Sequence, residues 1–386
     1  MQKIYMDHAA TTPLKEEVLE AMLPFLKSVY GNPSSLHFLG REARKALDES
    51  REKVARALGA TPEEIIFTSG GTEANNLAIQ GVARALSSDG RKHIITSSIE
   101  HHAVLDTVNY LHNAGFEVTF LPVDEYGMVD PGELERHITD NTILVTIMTA
   151  NNEIGTIQPF EEIGRICRER GVYFHTDAVQ AIGSIPFNLK EQPIDLLSLS
   201  AHKFCGPKGV GALYIRKRTK IKQVLFGGAQ ERKLRPGTEN LPGIVGLGRA
   251  IELAVTDMEA KSAYLEGLRN RLIKGLLEIE GIRLNGHPQK RLPGNVNVSV
   301  LYIEGESLLL NLDLKGIAVS SGSACTSGSL EPSHVLMAIG LDHQTAQGSV
   351  RLTLGSDNTV GDIDYTVEAV KEITERLRKI SPVYKK

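Results

Sequence analysis

Between about residues 40 and 215 short apolar runs alternate with amphipathic stretches. Ala43, Ala46, Leu47, Val54, Ala55 and Leu58 recur at helical spacing, so the pattern predicts a helix over 41–58 with one apolar face. Residues 65–68, 93–96, 142–148, 172–176 and 195–200 read as short, fully buried strands, and 72–86 as a further helix. Strands alternating with helices predict an α/β fold whose mostly parallel sheet is covered on both faces. Ligands of such sheets sit at the carboxyl ends of the strands. After about Pro242 the texture changes. A long helical stretch over 244–280, broken at most once, precedes an irregular segment, a strand over 295–301 and a Gly/Ser-rich loop over 320–329. A last helix carries Ile363, Val367, Val370, Ile373 and Leu377 on one face. We therefore expect a large domain over 15–258, and a smaller α+β domain formed by 1–14 with 259–386 and bearing the 320–329 loop.

The length of 386 residues fits two or three domains at roughly 100–200 residues each. A net charge of −4 excludes a strongly basic nucleic-acid binder or a polybasic membrane-surface protein as the default. Three cysteines make no disulfide framework and point to a reducing, cytoplasmic setting. The first residues lack the apolar core of a signal peptide, and no apolar run approaches the ~20 residues of a membrane span. Neither nucleic acid nor membrane is expected as a partner.

The residues just past each predicted strand carry the chemistry. After 65–68 comes Ser69-Gly70-Gly71-Thr72, where glycines before a helix start let N–H groups approach an anion. The same string also reads as a turn with Thr72 as a helix cap. After the next strands come Glu100-His101-His102, Asn151-Asn152-Glu153, Asp177 with Gln180, and Ser200-Ala-His202-Lys203. Each alone has an ordinary structural reading as a cap or a satisfied core group. Five polar, titratable strand ends in register on one edge argue for a site. Metal ligation is weakly supported, because HExxH and CxxC spacings are absent, and a GxSxG elbow is absent too. A lysine, a strand-end acid and an anion cradle suit pyridoxal 5'-phosphate, which needs a Schiff-base amine, an acid at its ring nitrogen and phosphate donors.

The ordered strings YMDHAATTP (5–13), GNPSSLH (31–37), FTSGGTEANNLAI (67–79), EHHAVL (100–105), NNEIGTIQP (151–159), TDAVQ (176–180), SAHKFCGPKG (200–209), RPGTENLPG (235–243), SSGSACTSGSLEPSHVL (320–336) and VRLTLG (350–355) run nearly end to end. With them the sequence resembles the cysteine desulfurases of the NifS/IscS type, within the fold-type-I pyridoxal-phosphate enzymes, which are class-V aminotransferase-like. The resemblance implies that Lys203 is the Schiff-base lysine, that Asp177 pairs with the ring nitrogen and Gln180 with the ring hydroxyl. It implies that Asn152 lies near that hydroxyl and the substrate, and that His101 stacks on the ring as an acid/base. Gly71, Thr72, Ser200 and His202 match the phosphate cup, Arg351 the clamp on the substrate carboxylate, and Thr238 a residue reaching the partner's phosphate in a homodimer.

Cys325 lies in a run of small residues that cannot bury a side chain well. A free cysteine is otherwise among the most buried residue types, so exposure argues for reactivity and burial for packing. The resemblance assigns it as the nucleophile that takes sulfur from L-cysteine as a persulfide, leaving L-alanine. The sulfur would go to an iron–sulfur scaffold protein or another acceptor protein. No metal ligand is assigned, beyond Cys325 as the residue a cluster in transit would meet. Cys167 falls in a helical pattern and is expected in the core. Cys205 and Pro236 depart from the family's usual residues, and Cys205 is expected to be structural. A selenocysteine lyase would use the same residues. Plain transamination needs no thiol, which weighs against it. A non-catalytic scaffold would have no use for Lys203, Asp177 and Cys325 together.

Overall fold

The structure is a computed structural model describing residues 3–87, 90–321, 332–381 and 384. Seven strands form the central sheet in the spatial order Ile65–Thr68, Gly211–Ile215, Leu196–Ser200, Tyr173–Asp177, Thr142–Thr146, His93–Ser97, Glu117–Leu121. All pairings are parallel except the two made by Gly211–Ile215. Along the strands successive residues pack into opposite layers. Phe67, Ile95, Val145 and Leu197 join one core with Leu47, Val54 and Leu247. Their neighbours Ile66, Ile94, Leu144 and Leu196 join another with Leu77, Val104 and Val108. Burial on both faces is why these strands read as unbroken apolar runs.

One sheet strand carries no such run. Glu117–Leu121 is an edge strand with exposed residues, whereas Gly211–Ile215 is buried throughout and runs antiparallel to both its neighbours. The helical stretch after Pro242 divides into Leu241–Val255 and Met258–Leu277, broken where Asp257 takes φ 54°. Beyond it, Ile282–Leu284, Asn295–Val300 and Ser349–Thr353 form a three-stranded antiparallel sheet. Val296, Val298, Val350 and Leu352 pack there with Leu272, Ile363 and Val370. Ile4 and Met6 lie in that same core, and Ile4–Tyr5 pairs in parallel with Ile317–Ala318. From there residues 7–12 cross to the large sheet. Thr12 holds the carbonyl of His202 through both its N–H, at 3.0 Å, and its hydroxyl, at 2.9 Å. The N-terminal segment thus joins the two bodies at the strand end that carries Lys203.

Candidate active site

The carboxyl ends of five parallel strands meet the strand Ser349–Thr353 at a cleft of about 290 Å³. Gly71, Thr72, His101, Asn152, Asp177, Gln180, Ser200, His202, Lys203 and Arg351 all line it. Thr238 does not; it lies on an exposed segment elsewhere on the chain. Cys325 and most of the 320–329 loop lie outside the described residues.

The cradle is built from the turn after Ile65–Thr68. Gly70 adopts φ 157°, ψ −176°, a conformation only glycine takes easily, and a Cβ there would point at the Ser200 hydroxyl 3.7 Å away. A Cβ on Gly71 would meet Val179 at 2.6 Å. The 16-residue helix Gly71–Leu86 begins here, so its unpaired N–H groups and positive dipole end face the cleft beside the Thr72 and Ser200 hydroxyls. That donor set suits a phosphate. His202, its imidazole Nδ1 3.1 Å from Thr11 Oγ1, is pushed down to about 4 by burial and by Lys203 and Lys208, and so stays neutral.

Lys203 follows the strand Leu196–Ser200, and its Nζ donates to the carbonyls of Ala9 at 2.5 Å and Ala10 at 2.9 Å. Gln180 Nε2 donates to the same Ala9 carbonyl at 2.9 Å. Asp177 ends its strand with both oxygens fixed: Val179 N–H donates to Oδ1 at 2.9 Å and Asn75 Nδ2 to Oδ2 at 2.6 Å. Beneath it His175 is a satisfied core histidine between Thr146 and Ser198, pushed down to about 3 by burial.

His101 caps the helix His102–Asn113, its Nδ1 accepting from Ala103 N–H at 3.0 Å. That bond assigns the neutral ring's proton to Nε2. Burial lowers its proton affinity; Asp177 opposes this and Lys203 adds to it. The adjacent Glu100 is buried, accepts from Ser97 Oγ at 2.6 Å and Met148 N–H at 3.0 Å, and is pushed up to about 8 by desolvation.

Arg351 is 2% exposed. Its Nη1 donates to Asn152 O at 3.1 Å and its Nη2 to Asp7 Oδ1 at 3.0 Å, while Nε has no partner among the described residues. A buried guanidinium on the cleft wall, with N–H hydrogens left over from its two bonds, is suited to a carboxylate. Cys167 is fully buried, its thiol pushed up by desolvation. Cys205 sits at φ 64° with its N–H on Thr12 Oγ1 at 2.7 Å.

Sequence reasoning passed over several residues of this site. Asn75 is the clearest, a polar residue on the otherwise apolar buried face of its helix, and that mismatch was its signal. The Ala9 and Ala10 carbonyls and Asp7 gave none, since their roles come from a chain crossing far from the strands they serve.

A mostly parallel sheet bearing a strand-end lysine, a fixed acid and an anion cradle defines a pyridoxal-phosphate enzyme of the fold-type-I architecture. The class-V aminotransferase family model matches residues 4–366, and the chain belongs to that family. It is 60% identical to a cysteine desulfurase IscS of Methanosarcina thermophila over 380 residues, covering 98% of this chain and 94% of that one. A solved NifS-like protein superimposes with a TM-score of 0.92 at 43% identity, covering 97% of this chain and all (100%) of that one. A structure described as SspA in complex with cysteine superimposes at 0.81, with 38% identity over 91% of this chain and 99% of that one.

Proposed function

We propose that the protein is a pyridoxal-phosphate-dependent cysteine desulfurase that converts L-cysteine to L-alanine and keeps the sulfur as a persulfide on Cys325. The observation that carries this reading is the meeting in one cleft of Lys203, Asp177, the Gly71–Thr72 cradle and the buried Arg351. The names of its relatives, and cysteine seen bound to SspA, support the substrate. When bound, pyridoxal phosphate supplies the electron sink that makes bonds at the substrate's Cα and Cβ labile. Gly71, Thr72, Ser200 and His202 would hold its phosphate, Asp177 its protonated ring nitrogen, and Gln180 and Asn152 its ring hydroxyl.

Arg351 binds the substrate carboxylate and so orients the amino acid before any proton moves. Lys203 Nζ carries the Cα proton. His101, with its proton on Nε2, returns a proton over the cofactor ring. Cys325 as thiolate forms an S–S bond to the substrate sulfur while the Cβ–S bond breaks, and the electron pair left on the carbon skeleton is protonated on the way to alanine. An ordinary thiol near 8.5 is only a few per cent ionised at neutral pH, so a neighbouring base must help it. The Gly/Ser setting of Cys325 suits a residue that must reach the substrate and then an acceptor. Thr238, exposed on its own chain, would complete the phosphate cup of a second copy, which makes the enzyme a homodimer. The acceptor is an iron–sulfur scaffold protein or another sulfur-carrying protein.

The test is Cys325→Ala in a single turnover with L-cysteine. The variant should keep the cofactor's visible spectrum and lose alanine formation. Undiminished alanine would show that Cys325 is not the nucleophile.

A further inference from the structure

Three consecutive residues other than glycine, Glu231, Arg232 and Lys233, hold left-handed φ values of 40°, 55° and 66°. Such strain persists only where the surroundings over-determine it. Here Arg232 donates to the carbonyls of Glu63 and Pro62, and beside it stands a buried ion pair. Arg51 donates to both oxygens of Glu231, at 2.8 Å and 2.5 Å, with the two side chains only 9% and 2% exposed. Glu231 Oε2 also accepts Phe67 N–H at 2.8 Å, and the Arg51 guanidinium lies 4.7 Å from the Phe67 ring. Four residues on, the same device recurs. Arg235 Nε donates to Glu73 Oε1 at 2.9 Å, and Glu73 Oε2 accepts Ser69 N–H at 2.8 Å. Gly237 N–H closes the segment on Gln230 Oε1 at 3.1 Å, and Asn240 caps the next helix by accepting Gly243 N–H at 3.2 Å. Thr238 therefore stands on a short arch fixed at both ends, yet it lies outside this chain's own cleft.

Neither ion pair lines the cleft of its own chain, and residues 231–235 supply nothing to it. Two pairs and a run of strained residues nonetheless fix the base of the arch. We propose that Glu231 and Glu73, through Arg51 and Arg235, are positioning residues for the other subunit: they aim Thr238 at the phosphate of the cofactor bound by the partner. This rests on the reading of the enzyme as a homodimer whose Thr238 serves the second copy. The rival is a cis role, because both carboxylates also hold N–H groups of the strand and turn that lead to their own chain's cradle.

Crossed dimers separate the two. Glu231→Ala is combined with Lys203→Ala either on opposite chains or on one chain paired with an unaltered one, by co-expression with two affinity tags. Pyridoxal 5'-phosphate is titrated in and fixed with borohydride, so that only the site retaining Lys203 is labelled and its affinity read. We expect unaltered affinity when Glu231→Ala is on the chain that bears Lys203. We expect about tenfold weaker binding when it is on the chain opposite, the worth of one hydrogen bond to a charged group. The reverse pattern, or no weakening in either arrangement, overturns the proposal. Glu231→Ala leaves Arg51 buried and unpaired, so Arg235→Gln, at a side chain 24% exposed, provides the same test with little risk to folding. Thr238→Ala is run in the same crossed format. No effect from it, or a chain that sediments as a monomer, overturns the dimer reading and the proposal with it. A cis pattern from Glu231→Ala beside a trans effect of Thr238→Ala overturns the proposal alone.

Discussion

Replacing Arg351 by lysine tests the carboxylate clamp. The guanidinium is buried on the cleft wall, and Nη1 and Nη2 each spend one of two N–H hydrogens on Asn152 O and Asp7 Oδ1, leaving the others to meet an incoming carboxylate. Lysine keeps the positive charge beside Asp7, so the fold should survive. It offers a point charge in place of a planar fork and loses at least one directed hydrogen bond to the substrate. A hydrogen bond to a charged group is worth about 1.5–3 kcal/mol, which is about 10- to 150-fold in affinity. We predict that Arg351→Lys raises the KM for L-cysteine by that factor and leaves kcat nearly unchanged, the signature of binding lost equally from ground and transition states. The control is cysteamine, which has the thiol and amine but no carboxylate. Its slow reaction, followed as release of sulfide, should not respond to the substitution. An unchanged KM for L-cysteine, or an equal loss with cysteamine, would refute the carboxylate assignment.

Lys203→Ala should bind the cofactor without a covalent bond, so borohydride fixes none; cofactor found fixed elsewhere would contradict the lysine assignment. Asn75→Ala removes the 2.6 Å donor to Asp177 and should weaken cofactor binding about tenfold in equilibrium dialysis. Glu100 predicts a pH slope in stability. Its folded value of about 8 lies above the ordinary 4.5, so between these values the native state holds a proton that the unfolded chain has released. Stability then falls as pH rises through that window, by at most on the order of 5 kcal/mol, and levels off above it. Glu100→Gln should flatten that slope in urea unfolding; an unchanged slope would assign it to other groups.

The strands most legible in the sequence are those buried on both faces. Ile65–Thr68 stands at its predicted bounds because four consecutive buried residues leave no competing period. Glu117–Leu121 escaped notice because an edge strand keeps exposed Glu117 and Phe120 among its apolar positions. The single break that the 244–280 pattern allows falls at Asp257, where one left-handed residue needs no glycine or proline to mark it. At the site, the strand-end residues could be placed together because parallel topology forces their ends to one edge. The partners that orient them could not. Asp7 reaches Arg351 across 344 positions of chain, and Ala9 reaches Lys203 across 194, distances over which local pattern says nothing.

The central claim, sulfur transfer from L-cysteine to Cys325, is tested most directly by one turnover of the purified protein with L-cysteine. Alanine is quantified, and added sulfur is mapped by mass spectrometry under non-reducing conditions. One alanine per active site and one extra sulfur on Cys325 are expected. Bound cofactor with neither alanine nor a persulfide on Cys325 would contradict the claim.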